Sequence, residues 1–163
     1  MLDTIRQWWQ YLLGKRSEVA QMDYKDAYMA KVVMDIHRKR TGKRVVRVPL
    51  AQLDPIHRID RESALHSANE RAEALRAHRD TLLAAKLLDS EALQAIIPSV
   101  SGIKVVRNGE RWLAFEGNGR LYAMREVFAA DDGMRVDVEE YVFDDPCSIQ
   151  RRLRRVRRLN RLE

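Results

Sequence analysis

The 163-residue chain contains a single cysteine, Cys147. One thiol excludes an internal disulfide and any cysteine-built zinc cluster, and it accords with a reducing compartment. Cys147 itself reads as a passive residue near a turn. No apolar run approaches the roughly 20 residues that a membrane-spanning helix needs. The first residues lack the small-residue cleavage site of a secretory signal, so a cytoplasmic location is expected. The four histidines, His37, His57, His66 and His78, form no His-x-x-x-His or His-Glu-x-x-His pair, and local spacing therefore builds no metal site. A nucleophile-elbow serine and a Walker-type Gly-Lys-Ser/Thr sequence are also missing.

What is present is the composition of an ordinary folded domain, 45% apolar and 33% charged, with a length that suits one core. The net charge of +6 is unevenly placed. Residues 151–163 hold seven arginines and one glutamate, so residues 1–150 carry as many basic as acidic side chains. Ile149, Leu153, Val156, Leu159 and Leu162 recur every three or four residues through this end. A basic amphipathic helix follows. Arg151, Arg152, Arg154, Arg155, Arg157 and Arg158 could contact DNA or RNA phosphates or an anionic membrane, or could be the solvated face of a helix packed on its own core. At the other end Leu2, Ile5, Trp8, Trp9, Leu12 and Leu13 form a second helical stripe. It suits an interfacial or partner anchor, a homodimer contact, or docking on its own domain.

Between these ends, 23–40 reads as a helix and 44–50 as a strand. Residues 61–88 read as one long helix with Ala64, Leu65, Ala68, Ala72, Leu75, Leu82 and Leu83 inward. A short helix capped by Asp89 reaches Ile97, and 135–143 suggests a last strand. Residues 103–107 and 111–115 flank Asn108-Gly109, a pair suited to a type I′ hairpin turn. Leu121, Met124, Val127 and Phe128 share one helical face, so Gly117-Asn118-Gly119-Arg120 should lead from a strand into a helix. Backbone donors at such a helix start favour an anion, and an arginine adds a planar charged fork. A plain structural turn is the competing reading of the same residues.

Gly117, Arg120 and Ala123 match the Gly-x-x-Arg-x-x-Ala pattern of the ParB/sulfiredoxin superfamily, which this segment resembles. Residues 47–55, Arg-Val-Pro-Leu-Ala-Gln-Leu-Asp-Pro, are similar to the family's opening strand and turn. The resemblance covers about 44–130 and implies an α+β fold, a small mixed sheet with packed helices. The implied domains are a helical extension over 1–43, a core over 44–145 and an arginine-rich helix or tail over 146–163. Asn118 stands where sulfiredoxins carry their reactive cysteine, so sulfinic-acid repair is not expected. The 35 residues after Phe128 do not suffice for the helix-turn-helix domain of the partition-protein clamps. Pro55-Ile56-His57-Arg58 and Glu116–Arg120 are similar in layout to the free-serine kinases of the superfamily, without both histidines of their turn.

The resemblance thus implies a nucleotide or other phosphorylated ligand, ATP or CTP with Mg²⁺ among the candidates. It would be held by Gly117, Asn118, Gly119 and Arg120, with His57 and Arg58 as a second contact segment. Glu116 is the one acid beside the turn and the candidate for a catalytic base or Mg²⁺ ligand. Phosphotransfer or nucleotide hydrolysis stays open. The alternatives are a non-catalytic nucleic-acid-binding module that uses the arginine tail, and a scaffold whose amphipathic ends meet a membrane or partner.

Overall fold

A computed structural model describes residues 24–163 of the chain. The tryptophan-containing stripe of residues 2–13 lies outside them. The fold is α+β, with helices on both faces of a mixed six-stranded sheet. In chain order the elements are α1 (Tyr24–Lys39), β1 (Gly42–Pro49), β2 (Leu53–Pro55), α2 (Glu62–Ala77), α3 (Arg79–Ala85), β3 (Leu87–Leu88) and α4 (Ser90–Ile96). There follow β4 (Lys104–Asn108), β5 (Arg111–Glu116), α5 (Asn118–Val127), β6 (Arg135–Val142) and α6 (Pro146–Leu159). The sheet order is β1-β6-β4-β5-β2, and β3 adds to β6. β1 and β6 pair antiparallel over their full lengths, β4 runs parallel to β6 and antiparallel to β5, and β2 runs parallel to β5.

Side-chain alternation divides the core into two layers. Val105, Ala114, Val136 and Val138 face one side of the sheet and pack with Ala72 and Leu75 of α2, Leu82 of α3, Leu93 of α4 and Leu121 and Met124 of α5. Their strand neighbours Val106, Leu113, Phe115 and Tyr141 face the other side and pack with Val32 and Ile36 of α1 and Ile149, Leu153 and Val156 of α6. Strands buried on both faces read as continuous apolar runs rather than alternating ones. The boundaries expected at 43 and 146 therefore do not separate packing units: α1 and α6 together cover one face of the sheet. Asp35 of α1, 8% exposed, pairs with Arg38 (2.9 Å) and with Arg152 of α6. This ties the two helices to each other.

Three local expectations are corrected. The stretch 61–88 is not one helix. It leaves helical geometry at His78 (φ −113°, ψ 9°) and ends on left-handed Lys86, so that Leu82 and Leu88 both reach the core and β3 pairs with β6. Burial of two leucines outweighs the propensity for an uninterrupted helix. Leu65, expected inward, is 37% exposed. The hairpin forms, but Asn108 pairs with Arg111, which makes Gly109 and Glu110 the central residues. Only Gly109 has a positive φ, so the turn is not type I′, which needs two. Asp89 caps α4 by accepting from the Ala92 N–H at 2.8 Å, as expected.

Candidate functional site

The strand-to-helix turn lies at the end of β5. Gly117 adopts φ +87°, and α5 begins at the next residue. The helix reading of 121–128 therefore holds, and the turn opens on a helix start. A Cβ on Gly117 would sit 3.0 Å from Ile103 Cγ1 and 3.2 Å from Ile103 Cα. Glycine is required here both by dihedral angle and by close approach.

A cleft of about 540 Å³ opens over the turn. Its walls include His57 and Ile59 after β2, Ser67 and Arg71 of α2, Ser99 and Ser101 before β4, and residues 115–120. Arg120 is 5% exposed and donates one hydrogen bond, from Nη2 to the Ser101 carbonyl. Its other two nitrogens have no partner among the described residues, yet they are not among the sealed unsatisfied atoms, of which those residues show only Trp112 Nε1. Burial, with Arg71 second, holds the Arg120 pKa below the usual guanidinium value. The Arg71 guanidinium lies so close over Gly119 that a Cβ there would meet its Nη1 at 2.9 Å. Arg71 makes no hydrogen bond or ion pair with the described residues. Two guanidinium groups and the positive end of a helix thus converge without an ion-pair partner among the described residues.

The one carboxylate that lines the cleft does not supply one. Glu116 Oε1 meets His37 Nε2 at 2.6 Å, and Oε2 accepts from Lys104 Nζ at 2.6 Å. Burial alone would raise its pKa, but the hydrogen bonds from Lys104 and His37 outweigh that and hold it below the usual carboxylate range. His37 is held in turn between Phe115 and Tyr141, with Arg40 Nη1 3.1 Å from its Nδ1. A carboxylate held by an ammonium on one oxygen and an imidazole N–H on the other is a poor base. No cluster of three metal-ligating side chains occurs among the described residues.

The other sequence candidates divide between fold and cleft. Asn118 borders the cleft, but its amide is used by the fold: Oδ1 accepts the Ile56 N–H at 3.2 Å and Nδ2 donates to the Ala114 carbonyl at 3.0 Å. His57 reaches the cleft wall and its Nδ1 is 2.8 Å from the Arg58 carbonyl, a contact in which the ring N–H donates. Arg58 points elsewhere and donates to the Arg161 carbonyl at 2.6 Å. None of the α6 arginines lines this cleft.

Arg71, Ser67, Ser99 and Ser101 were not singled out by the sequence reading. A usable signal existed for two of them, since Ser67 and Arg71 stand four residues apart, flanking the buried Ala68-Ala72-Leu75 stripe of α2. The loop 99–101 had none, because only the fold carries it to α5. No helix among the described residues is long and apolar enough to cross a membrane. No family model, no curated protein and no solved structure matches the chain.

Proposed function

We propose that the cleft over Gly117–Arg120 binds a phosphorylated small molecule, a nucleotide being the class that its volume suits. One observation carries this reading: Arg71 and Arg120 are drawn together at the start of α5 with no carboxylate partner among the described residues. Like charges in a partly buried cleft repel, and a bound anion would remove that cost. A phosphate accepts hydrogen bonds from two planar guanidinium forks and from the free N–H groups of the first helical turn at once. Ser67, Ser99 and Ser101 would add neutral donors, and Ile59, Ala64 and Phe115 an apolar wall. The resemblance of Gly117, Arg120 and Ala123 to the nucleotide-holding turn of the ParB/sulfiredoxin superfamily points the same way.

The role of Glu116 in this reading is to position. With Lys104 and His37 it anchors the end of β5, so that the turn is held rigid while its carboxylate leaves the guanidinium groups unneutralised. A Mg²⁺ ion would have to come with the phosphates of the ligand. The test is a thermal-shift screen of ATP, CTP, GTP, ADP and inorganic pyrophosphate, each with and without Mg²⁺. A ligand at 100 times its Kd adds about 2.7 kcal/mol to stability. At least one compound should raise the wild-type melting temperature and raise that of Arg71→Ala by no more than about half as much. A flat screen, or equal shifts in both proteins, removes the proposal.

A further inference from the structure

We infer that the face formed by α1 and α6 binds single-stranded nucleic acid, with the backbone along the arginines of α6 and a base on Tyr24. The two helices lie antiparallel: Asp35 meets Arg152, whereas Tyr24 and Tyr28 meet Arg155. The core-facing side of α6 is filled by Ile149, Leu153 and Val156. A period of 3.6 then turns Arg151, Arg154, Arg155 and Arg158 to solvent, and all four are exposed. Arg151, Arg154 and Arg158 pair with no carboxylate among the described residues. Lys31, Arg38 and Lys39 of α1 are exposed on the neighbouring ridge and border, with Arg152, a shallow groove between the helices. The one acid in that groove, Asp35, is already shared by two arginines. The charge that looked confined to residues 151–163 is therefore extended by α1 into one basic face.

Aromatic rings interleave with this charge only in the folded chain. Tyr24 is 60% exposed and stacks on Tyr28 with ring centroids 6.2 Å apart, and Arg155 lies over Tyr28 at 4.9 Å while donating to the Tyr24 hydroxyl at 3.1 Å. A basic track with an open aromatic face is what a single strand needs: phosphates pair with arginine, and an unstacked base lies on the ring. A duplex keeps its bases stacked inside and cannot use Tyr24. An anionic membrane fits less well. The apolar side of α6 is spent on the sheet, and Met34 is the one large aliphatic residue that α1 exposes, so these two helices leave no apolar stripe of their own to enter the lipid.

The test is fluorescence anisotropy of a labelled oligothymidylate of roughly 20 nucleotides, and of a duplex of equal length, over a salt series. Wild-type protein should bind the single strand more tightly than the duplex, with affinity falling as salt rises. The variant Arg151→Gln/Arg154→Gln/Arg158→Gln removes no side-chain hydrogen bond or ion pair among the described residues, and circular dichroism would confirm its fold. It should bind at least about tenfold more weakly and lower the log–log salt slope by roughly 2, near 0.7 for each lost phosphate contact. Tyr24→Ala should weaken single-strand binding roughly 5- to 150-fold and leave duplex binding unchanged. The inference is overturned if the triple variant binds as wild type, if Tyr24→Ala affects neither probe, or if anionic vesicles are bound and the oligonucleotide is not.

Discussion

Replacing Gly117 by alanine sets two independent costs on one residue, and a second glycine in the same sheet separates them. The φ of +87° penalises any L side chain by about 1–2 kcal/mol. The new methyl would also sit 3.0 Å from Ile103 Cγ1 and 3.2 Å from Ile103 Cα. The side-chain atom could yield, but the Cα belongs to a residue 1% exposed in the main core and cannot move without the loop that enters β4. Overpacking of this kind adds about 1–3 kcal/mol. Gly109, at φ +65° with nothing within 4 Å of a built Cβ, carries the dihedral cost alone. Urea denaturation followed by circular dichroism should therefore show Gly117→Ala less stable than Gly109→Ala by about 1–3 kcal/mol. Equal losses in the two variants would refute the claim that backbone packing against Ile103 fixes the turn and with it the start of α5.

Other consequences follow from the same geometry. Asn118→Ala leaves the buried Ile56 N–H and Ala114 carbonyl without partners and should cost about 2–4 kcal/mol in the same urea assay, whereas a surface-like loss below about 0.5 kcal/mol would contradict its bridging role. Glu116 and Asp54 are both held below the ordinary carboxylate range, Glu116 by Lys104 and His37 against the opposing effect of burial, Asp54 by Arg111 and Arg125 against the same effect. Their pairs stabilise the fold above that range and lose this as pH falls through the lowered values. Stability should stay flat from about pH 7 to 5 and drop below about pH 4. Glu116→Gln with Asp54→Asn should flatten that acid limb, and an unchanged limb would assign acid unfolding to other groups. Asp35→Ala, which leaves Arg152 without its buried partner, should destabilise by about 2–4 kcal/mol and raise hydrogen exchange in α1 and α6 before the sheet.

Much of the fold was legible because its signals are local. The hairpin, the α5 start and the Asp89 cap each follow from a few neighbouring residues, and the period of 121–128 distinguished helix from strand. The break at His78 was not legible, since no glycine or proline marks it and the gain comes from Leu82 and Leu88 meeting a strand about fifty residues later. That α1 and α6 pack together on one face of the sheet was not legible for a related reason, although packing of the arginine-rich helix on its own core was one of the readings left open. Strands buried on both faces show no polar alternation, so nothing local said that two helices must cover the second face. At the cleft, Arg120 and the glycines announced themselves by spacing. Arg71 sits 49 residues earlier in a helix rich in ordinary surface charge, and only the packing of α2 on α5 gives it meaning. Asn118 shows the converse: a residue in the motif whose polar groups the fold consumes.

The central claim, that Arg71 and Arg120 form one anion site at the start of α5, is tested most directly by calorimetric titration of inorganic pyrophosphate into wild type, Arg71→Ala, Arg120→Ala and the double variant. Each single substitution should weaken binding by about 1.5–3 kcal/mol, roughly 10- to 150-fold. The double variant should lose less than the sum, because both side chains hold the same phosphate. Arg120→Lys should recover only part of the loss, since an ammonium lacks the planar fork. Dissociation constants equal across the four folded proteins would contradict the account and leave Gly117-Asn118-Gly119-Arg120 as a structural turn.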